Sequence, residues 1–174
     1  MQKIVPFLWF DTQALEAAKF YVSVFKKRSK KASKVLGVAY YNDAGPGPKG
    51  SVMVVDFQLD GQRFQALNGG PLFKFSPAFS FVVNCKTQRE VDYYWDKLLA
   101  DGGQPSQCGW LTDRFGFSWQ IVPEILGKLY SGKDTARAAR VMASMLKMVK
   151  LDIQLLEKAA AADPPPRRRV RKAA

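Results

Sequence analysis

The sequence predicts an α+β fold in which two similar strand–helix–strands modules form one curved mixed sheet, with a helix appended at the C-terminus. Three observations carry this expectation. An apolar strand followed by an amphipathic helix occurs twice, with Asp11-Thr12-Gln13 at the first junction and Lys86-Thr87-Gln88 at the second, an offset of 75 residues. The last strand of each half also reads alike: Arg63-Phe64-Gln65-Ala66-Leu67 is echoed by Ser118-Trp119-Gln120-Ile121-Val122 at an offset of 55. Beyond Pro123 the apolar residues change to helical spacing. The two offsets differ because the second half has one short strand fewer or a shorter loop.

Lys3 to Phe10 reads as a first strand, apolar nearly throughout, with Pro6 arguing for an edge or a bulge. Asp11-Thr12 can cap the helix over Thr12 to Phe25, where Leu15, Ala18, Val22 and Phe25 recur at helical spacing beside Tyr21. A lysine cluster ends that helix and complements its C-terminal dipole. Val35 to Tyr41 is a second strand, and Asn42 to Pro48 is a loop by composition. Ser51–Leu59 and Arg63–Leu67 form a hairpin through Asp60-Gly61, a strong two-residue turn signal. Ala78 to Asn84 opens the second module as another strand. Thr87-Gln88-Arg89-Glu90 is a capping box, and Val91, Tyr94, Trp95 and Leu98 share one face of the helix it starts. Gln104 to Pro123 is a hairpin rich in aromatic residues, turning at Asp113 and Gly116. Asp134 can cap a single long helix from Thr135 to about Ala162, with Val141, Met145, Met148, Leu151 and Leu155 as its stripe. The expected organisation is a domain over residues 1–125 (modules about 3–70 and 78–123), a helical extension over 126–162 packed on the domain or on a partner, and a disordered basic tail over 163–174.

The 174 residues are 47% apolar and 24% charged, which is globular composition. No apolar run approaches the roughly 20 residues that span a bilayer. The N-terminus lacks a small-residue cleavage site, which argues against a signal peptide. With two cysteines, Cys85 and Cys108, far apart, a reduced cytoplasmic setting is expected. The net charge of +12 is local. Six cations lie between Lys26 and Lys34 and five between Arg167 and Lys172, and without those eleven the chain carries 16 basic against 15 acidic residues. A weak nucleic-acid contact through Lys26–Lys34 and Arg167–Lys172 is therefore a secondary expectation, not the purpose of the domain.

The stretches PFLWFDTQALEAAKFY, AGPGPKGSVMVVDFQLDGQ, ALNGGP, KFSPAFSFVVNCKTQREVDYYWDKL and CGWLTDRFGFSWQIVP resemble the PhnB-like family, often labelled 3-demethylubiquinone-9 3-methyltransferase. The resemblance covers roughly residues 2 to 155, and the last of those stretches is its most specific motif. It places the chain in the vicinal oxygen chelate superfamily of glyoxalase, bleomycin-resistance proteins and extradiol dioxygenases. It implies paired βαβββ-type modules and a homodimer. The methyltransferase label follows from no residue here, because no glycine-rich loop comes after a first strand and before an acidic strand end.

There is no histidine in the chain. This removes Ser-His and Cys-His nucleophile activation and every imidazole metal ligand. The resemblance implies that metal ligands would fall near Pro6, near Ser80 or Phe81, and on Gln65 and Gln120. Neutral amides give a divalent ion too little charge to offset its dehydration, so neither a metal nor another cofactor is expected. Gln65 and Gln120 are then either hydrogen-bonded amides inside a sheet or anchors for a ligand in an apolar cavity. Trp9, Trp110 and Trp119 are core residues or the walls of a pocket for a flat molecule. The candidate ligand-binding set is Trp9, Gln65, Trp110, Trp119 and Gln120, and no catalytic residue is assigned. Cys108, without a histidine base, reads as a buried inert thiol sooner than a nucleophile, and Cys85 as structural. Asp60 and Asp113 suit turns, where carboxylates satisfy backbone amides. Asp56 and Glu124 could serve as bases, but nothing in the sequence places them at a pocket. Asn68-Gly69-Gly70-Pro71 lacks the spacing of a P-loop or dinucleotide fingerprint. The expected function is metal-free binding of a small hydrophobic or aromatic molecule between the modules. The alternatives are a non-metal enzyme of the same fold and a nucleic-acid-associated protein.

Overall fold

Strand pairing in the computed structural model, which describes residues 2–28, 30–131 and 133–162, reproduces the internal repeat. The basic 163–174 tail expected from the sequence lies outside the described residues. The first module runs β1 (Phe7–Phe10), α1 (Ala14–Lys26), β2 (Lys34–Tyr40), β3 (Val52–Leu59) and β4 (Gln62–Asn68). The second runs β5 (Ser80–Cys85), α2 (Gln88–Leu99), β6 (Gln104–Pro105), β7 (Trp110–Thr112) and β8 (Ser118–Pro123). Each module builds its own four-stranded sheet, in the orders β1-β4-β3-β2 and β5-β8-β7-β6. First and last strands pair in parallel, Phe7 with Gln65 and Val82 with Gln120. Shifting Phe7 by 75 and Gln65 by 55 gives that second pair, so the two sequence offsets are one structural register.

Pro6 precedes β1, and β1 is an edge strand, where the missing N–H costs no ladder bond. Asp60 and Gly61 both adopt positive φ, 43° and 83°, which gives the primed turn that a two-residue hairpin requires. Alternation sends Val55, Phe57 and Leu59 of β3 and Phe64 and Ala66 of β4 into the core. Burying a side chain such as Phe57, which is fully covered, contributes about 1.5–3 kcal/mol. Core residues of both modules form a single cluster, so the two sheets are joined through packing. No helix among the described residues is long and apolar enough to cross a membrane.

Both helix starts carry finer detail than the sequence showed. Asp11 and Thr12 do not cap α1. Its Ala14 amide donates instead to Asn68 Oδ1 at 2.8 Å, so the cap is supplied from the end of β4. The buried face of α1 is Ala14, Ala17, Ala18, Tyr21, Val24 and Phe25. Leu15 and Val22, expected on the stripe, are only partly buried. The alanines let the helix lie close to the sheet, and the Tyr21 hydroxyl is tied to Asp113, which fixes the rotation. Half of the capping box of α2 forms as expected, with Thr87 Oγ1 accepting from the Glu90 amide at 3.2 Å, while Glu90 Oε2 reaches one residue further back and accepts from the Lys86 amide.

The single long C-terminal helix is not observed. The extension is three helices, α3 (Ile125–Tyr130), α4 (Thr135–Met145) and α5 (Ile153–Ala161). Asp134 caps α4 as expected, and Asp152 caps α5. Between α4 and α5 the Met148 and Val149 carbonyls accept from the Cys108 and Gly109 amides, both at 2.8 Å. Those long-range bonds take the carbonyls out of a helical ladder. Gln88 adds a clamp, donating to Leu151 O and accepting from the Ile153 amide. The extension thus packs on its own domain around a second core of Leu126, Val141, Met148, Leu151 and Leu156. Leu155, expected on the stripe, is half exposed.

Candidate functional site

The five residues singled out by sequence do not converge. Trp9 and Gln65 lie on the side of the first sheet facing away from the helices, since their neighbours Leu8, Phe10, Phe64 and Ala66 are the buried ones. Trp110 and Gln120 hold the same side of the second sheet, alternating with buried Leu111, Trp119 and Ile121. Trp119 points the other way, into the core. The Trp9 indole donates to Gly70 O at 2.9 Å and packs edge-on against Phe73. Gln65 Nε2 donates to Asp56 Oδ1 and Gln120 Nε2 to Ser80 Oγ, each at 2.9 Å. Each glutamine is therefore bonded within its own module.

That geometry tests the metal site which the superfamily resemblance implies. Ser80 is on the first strand of its module and meets Gln120, as expected, but the two donors are neutral. The Gln65 pair adds one carboxylate, Asp56, which already faces the Arg63 guanidinium at 3.5 Å. Among the described residues no three His, Cys, Asp or Glu side chains group closely enough to hold a metal ion. Two amides, a hydroxyl and one neutralised carboxylate do not suit a divalent cation.

A concave feature lies elsewhere, between the modules. A cleft of about 760 Å3 is walled by Phe25 of α1, Phe64 of β4, Phe81 of β5, Tyr94 of α2 and Trp119 of β8. These rings are in mutual contact, with centroids 5.1 Å apart for Phe64 and Phe81, 5.2 Å for Phe25 and Tyr94, and 5.5 Å for Phe81 and Trp119. Arg28, Lys30 and Lys31, from the loop after α1, stand on its lining, as do Asp60, Glu90 and Glu124. Of the five sequence candidates, Trp119 alone lines this cleft. Glu124, which nothing in the sequence tied to a pocket, also lines it. The missed walls left a trace in sequence: the core face of each helix carries an aromatic residue, Phe25 on α1 and Tyr94 on α2.

The wall is stiffened by a buried carboxylate. Asp113, in the turn between β7 and β8, is 3% exposed. Its Oδ1 accepts from the Phe115 and Phe117 amides at 2.9 and 3.0 Å, and its Oδ2 from the Tyr21 hydroxyl and the Trp119 indole, both at 2.8 Å. Burial raises its pKa above the usual carboxylate range, against the lowering effect of those four donors. Burial, with Asp113 beside it, holds Tyr21 protonated well above the ordinary phenol value. Neither group is on the cleft lining; together they orient Trp119, a core ring that backs it. Cys85 is fully buried, and burial followed by Glu90 and Glu124 pushes its thiol up to about 12, as suits a structural role. Cys108 is in a turn with φ of 58°, not on a strand, and is partly exposed where a buried thiol was expected. The extension's carbonyls at Met148 and Val149 hold this turn in place.

Residues 2–122 match a family model described as 3-demethylubiquinone-9 3-methyltransferase. Among solved structures, the chain is similar to a putative 3-demethylubiquinone-9 3-methyltransferase, PhnB protein, from Bacillus cereus. The two are 35% identical with a TM-score of 0.61, over 70% of this chain and 99% of that one. It is also similar to protein PA1353 from Pseudomonas aeruginosa, at 21% identity and a TM-score of 0.56, over 71% of this chain and 98% of that one. The fosfomycin resistance protein FosX from Listeria monocytogenes matches at 13% identity and a TM-score of 0.52, over 75% and 98%. The last two likenesses concern the fold. No curated protein matches.

Proposed function

The chain belongs to the 3-demethylubiquinone-9 3-methyltransferase (PhnB-like) family, and from that premise we propose that it binds a small apolar or aromatic molecule, without a metal ion, in the cleft between its modules. The observation that supports this reading is the cleft of about 760 Å3 with its contiguous aromatic wall. Its size falls within the roughly 300–1,000 Å3 of small-molecule sites, and its lining joins the aromatic wall to seven charged residues. The methyltransferase in the family's description is not the activity proposed. Asn68-Gly69-Gly70-Pro71 follows the last strand of its module, and its groups serve the fold: Asn68 caps α1 and bonds Val52 O, and the Gly69 amide donates to Phe10 O. A homodimer is part of the same proposal, with the outward side of the first sheet, where Phe7 and Tyr40 are more than half exposed, as the surface for a second copy.

The test uses N-phenyl-1-naphthylamine, a neutral probe whose fluorescence rises in apolar surroundings. One saturable site is expected. Phe81→Ala, which removes a ring of the cleft wall from the Trp119 side of β5, should weaken it about tenfold, while Gln65→Leu with Gln120→Leu should leave it. Loss in the double-leucine variant and unchanged affinity in Phe81→Ala would move the site to the outward sides of the sheets.

A further inference from the structure

We infer that the molecule this cleft takes is an anion, an apolar or aromatic body carrying one carboxylate- or sulfonate-like group, seated with its charge at Arg28, Lys30 and Lys31. This rests on the reading of the cleft as a binding site and adds the class of ligand.

The sequence reads the Lys26–Lys34 segment as a solvated helix end. The structure turns three of its cations to the mouth of an aromatic cleft. Among the described residues none of the three is in an ion pair. The acids nearby serve backbone groups: Asp60 Oδ1 accepts from the Lys31 amide at 3.1 Å, and Glu90 Oε2 from the Lys86 amide at 2.6 Å. Lys86 also lines the cleft, but it adjoins Cys85, whose thiol feels both Glu90 and Glu124. That end carries one cation against two carboxylates, and the excess positive charge sits at the other three residues, which have Asp60 alone among the acids of the lining beside them. Arg28 is held in place there, with its guanidinium over the Tyr93 ring, 4.9 Å from the centroid, so less side-chain freedom is lost when it meets a ligand. Hydrogen bonds between ionised partners are roughly twice as strong as neutral ones. A neutral ligand would leave the excess positive charge of this end unmatched, and a cationic one would be repelled by it.

The experiment compares two probes of one shape, neutral N-phenyl-1-naphthylamine and 1-anilinonaphthalene-8-sulfonate, which adds a sulfonate. Because Lys30 and Lys31 are exposed, the sulfonate should bind about tenfold more tightly at low salt, and about 0.5 M sodium chloride should remove most of that preference. Replacing Arg28, Lys30 and Lys31 together with Gln should lower the sulfonate-to-neutral affinity ratio about tenfold. A matched triple at Lys19, Lys97 and Lys128, all exposed and not part of the lining, should keep it. If the first triple loses the circular dichroism of the wild type, Lys30→Gln and Lys31→Gln are read singly, each expected to lower the ratio about twofold. Failure of the neutral probe to bind the wild type would overturn the cleft as a site. Binding of both probes with equal affinity, or a preference that survives the cleft triple, would overturn the anion and leave the cleft standing.

Discussion

Asp60 and Asp113 hold the same place in the two modules, the turn before the last strand, and live in opposite surroundings. Asp60 is exposed, sits at positive φ, and gives its carboxylate to a single backbone amide. Asp113 is buried and accepts four hydrogen bonds, two of them from side chains on α1 and β8. One turn reverses the chain and ties down the 31–33 segment of its own module; the other organises the core between the modules and sets the Trp119 wall of the cleft. A repeated fold can use one copy of a turn as a connector and the other as an anchor.

The sharpest way to break this contrast is Asp113→Ala. It strands two amides, an indole N–H and a phenol in the core, and should cost about 3–5 kcal/mol in urea unfolding; a loss below 1 kcal/mol would remove Asp113 from the centre of the account. Glycines extend the comparison. Gly61 and Gly109 share φ of 83°, but a Cβ at Gly61 meets the flexible Lys31 side chain, whereas one at Gly109 meets the Ile121 backbone carbonyl at 2.8 Å. Gly109→Ala should therefore cost about 2–3 kcal/mol and Gly61→Ala about 1 kcal/mol; equal losses would contradict the reading. Acidity provides a third handle. The Asp113 pKa is raised in the fold, so its stabilising contribution is complete below the unfolded value of about 3.8 and declines as pH rises through the folded value. The advantage of wild type over Asp113→Asn should accordingly shrink from acid towards neutral pH in chemical denaturation, and growth over that range would reverse the sign. Asp60→Ala should have the smallest effect, about 0.5–1 kcal/mol, from one exposed hydrogen bond and a left-handed backbone position.

Much of the fold was legible because it depends on local signals. The Asp60-Gly61 turn, the Thr87 cap and the twofold strand–helix–strands order all follow from residues near one another or from the repeat itself. The contrast between Asp60 and Asp113 was not legible. Both look like turn carboxylates, and what separates them is Tyr21, 92 residues away in the chain. The long C-terminal helix was misread for a related reason. Its apolar period runs unbroken past Met145, yet amides of Cys108 and Gly109 capture the carbonyls that would have continued it. The cleft was hidden in the same way. Phe25, Phe64, Phe81 and Tyr94 each carry the pattern of an ordinary core residue, and only the meeting of two modules makes them a wall. Trp9, Gln65, Trp110 and Gln120 drew attention as polar and aromatic residues on strands, and they face outward.

The measurement that bears most directly on the central claim is a crystal structure of the protein grown with N-phenyl-1-naphthylamine. The account predicts one naphthyl group between the modules, against Phe64, Phe81 and Trp119. Density on the outward side of either sheet, beside Gln65 or Gln120, with the cleft filled only by solvent, would contradict it.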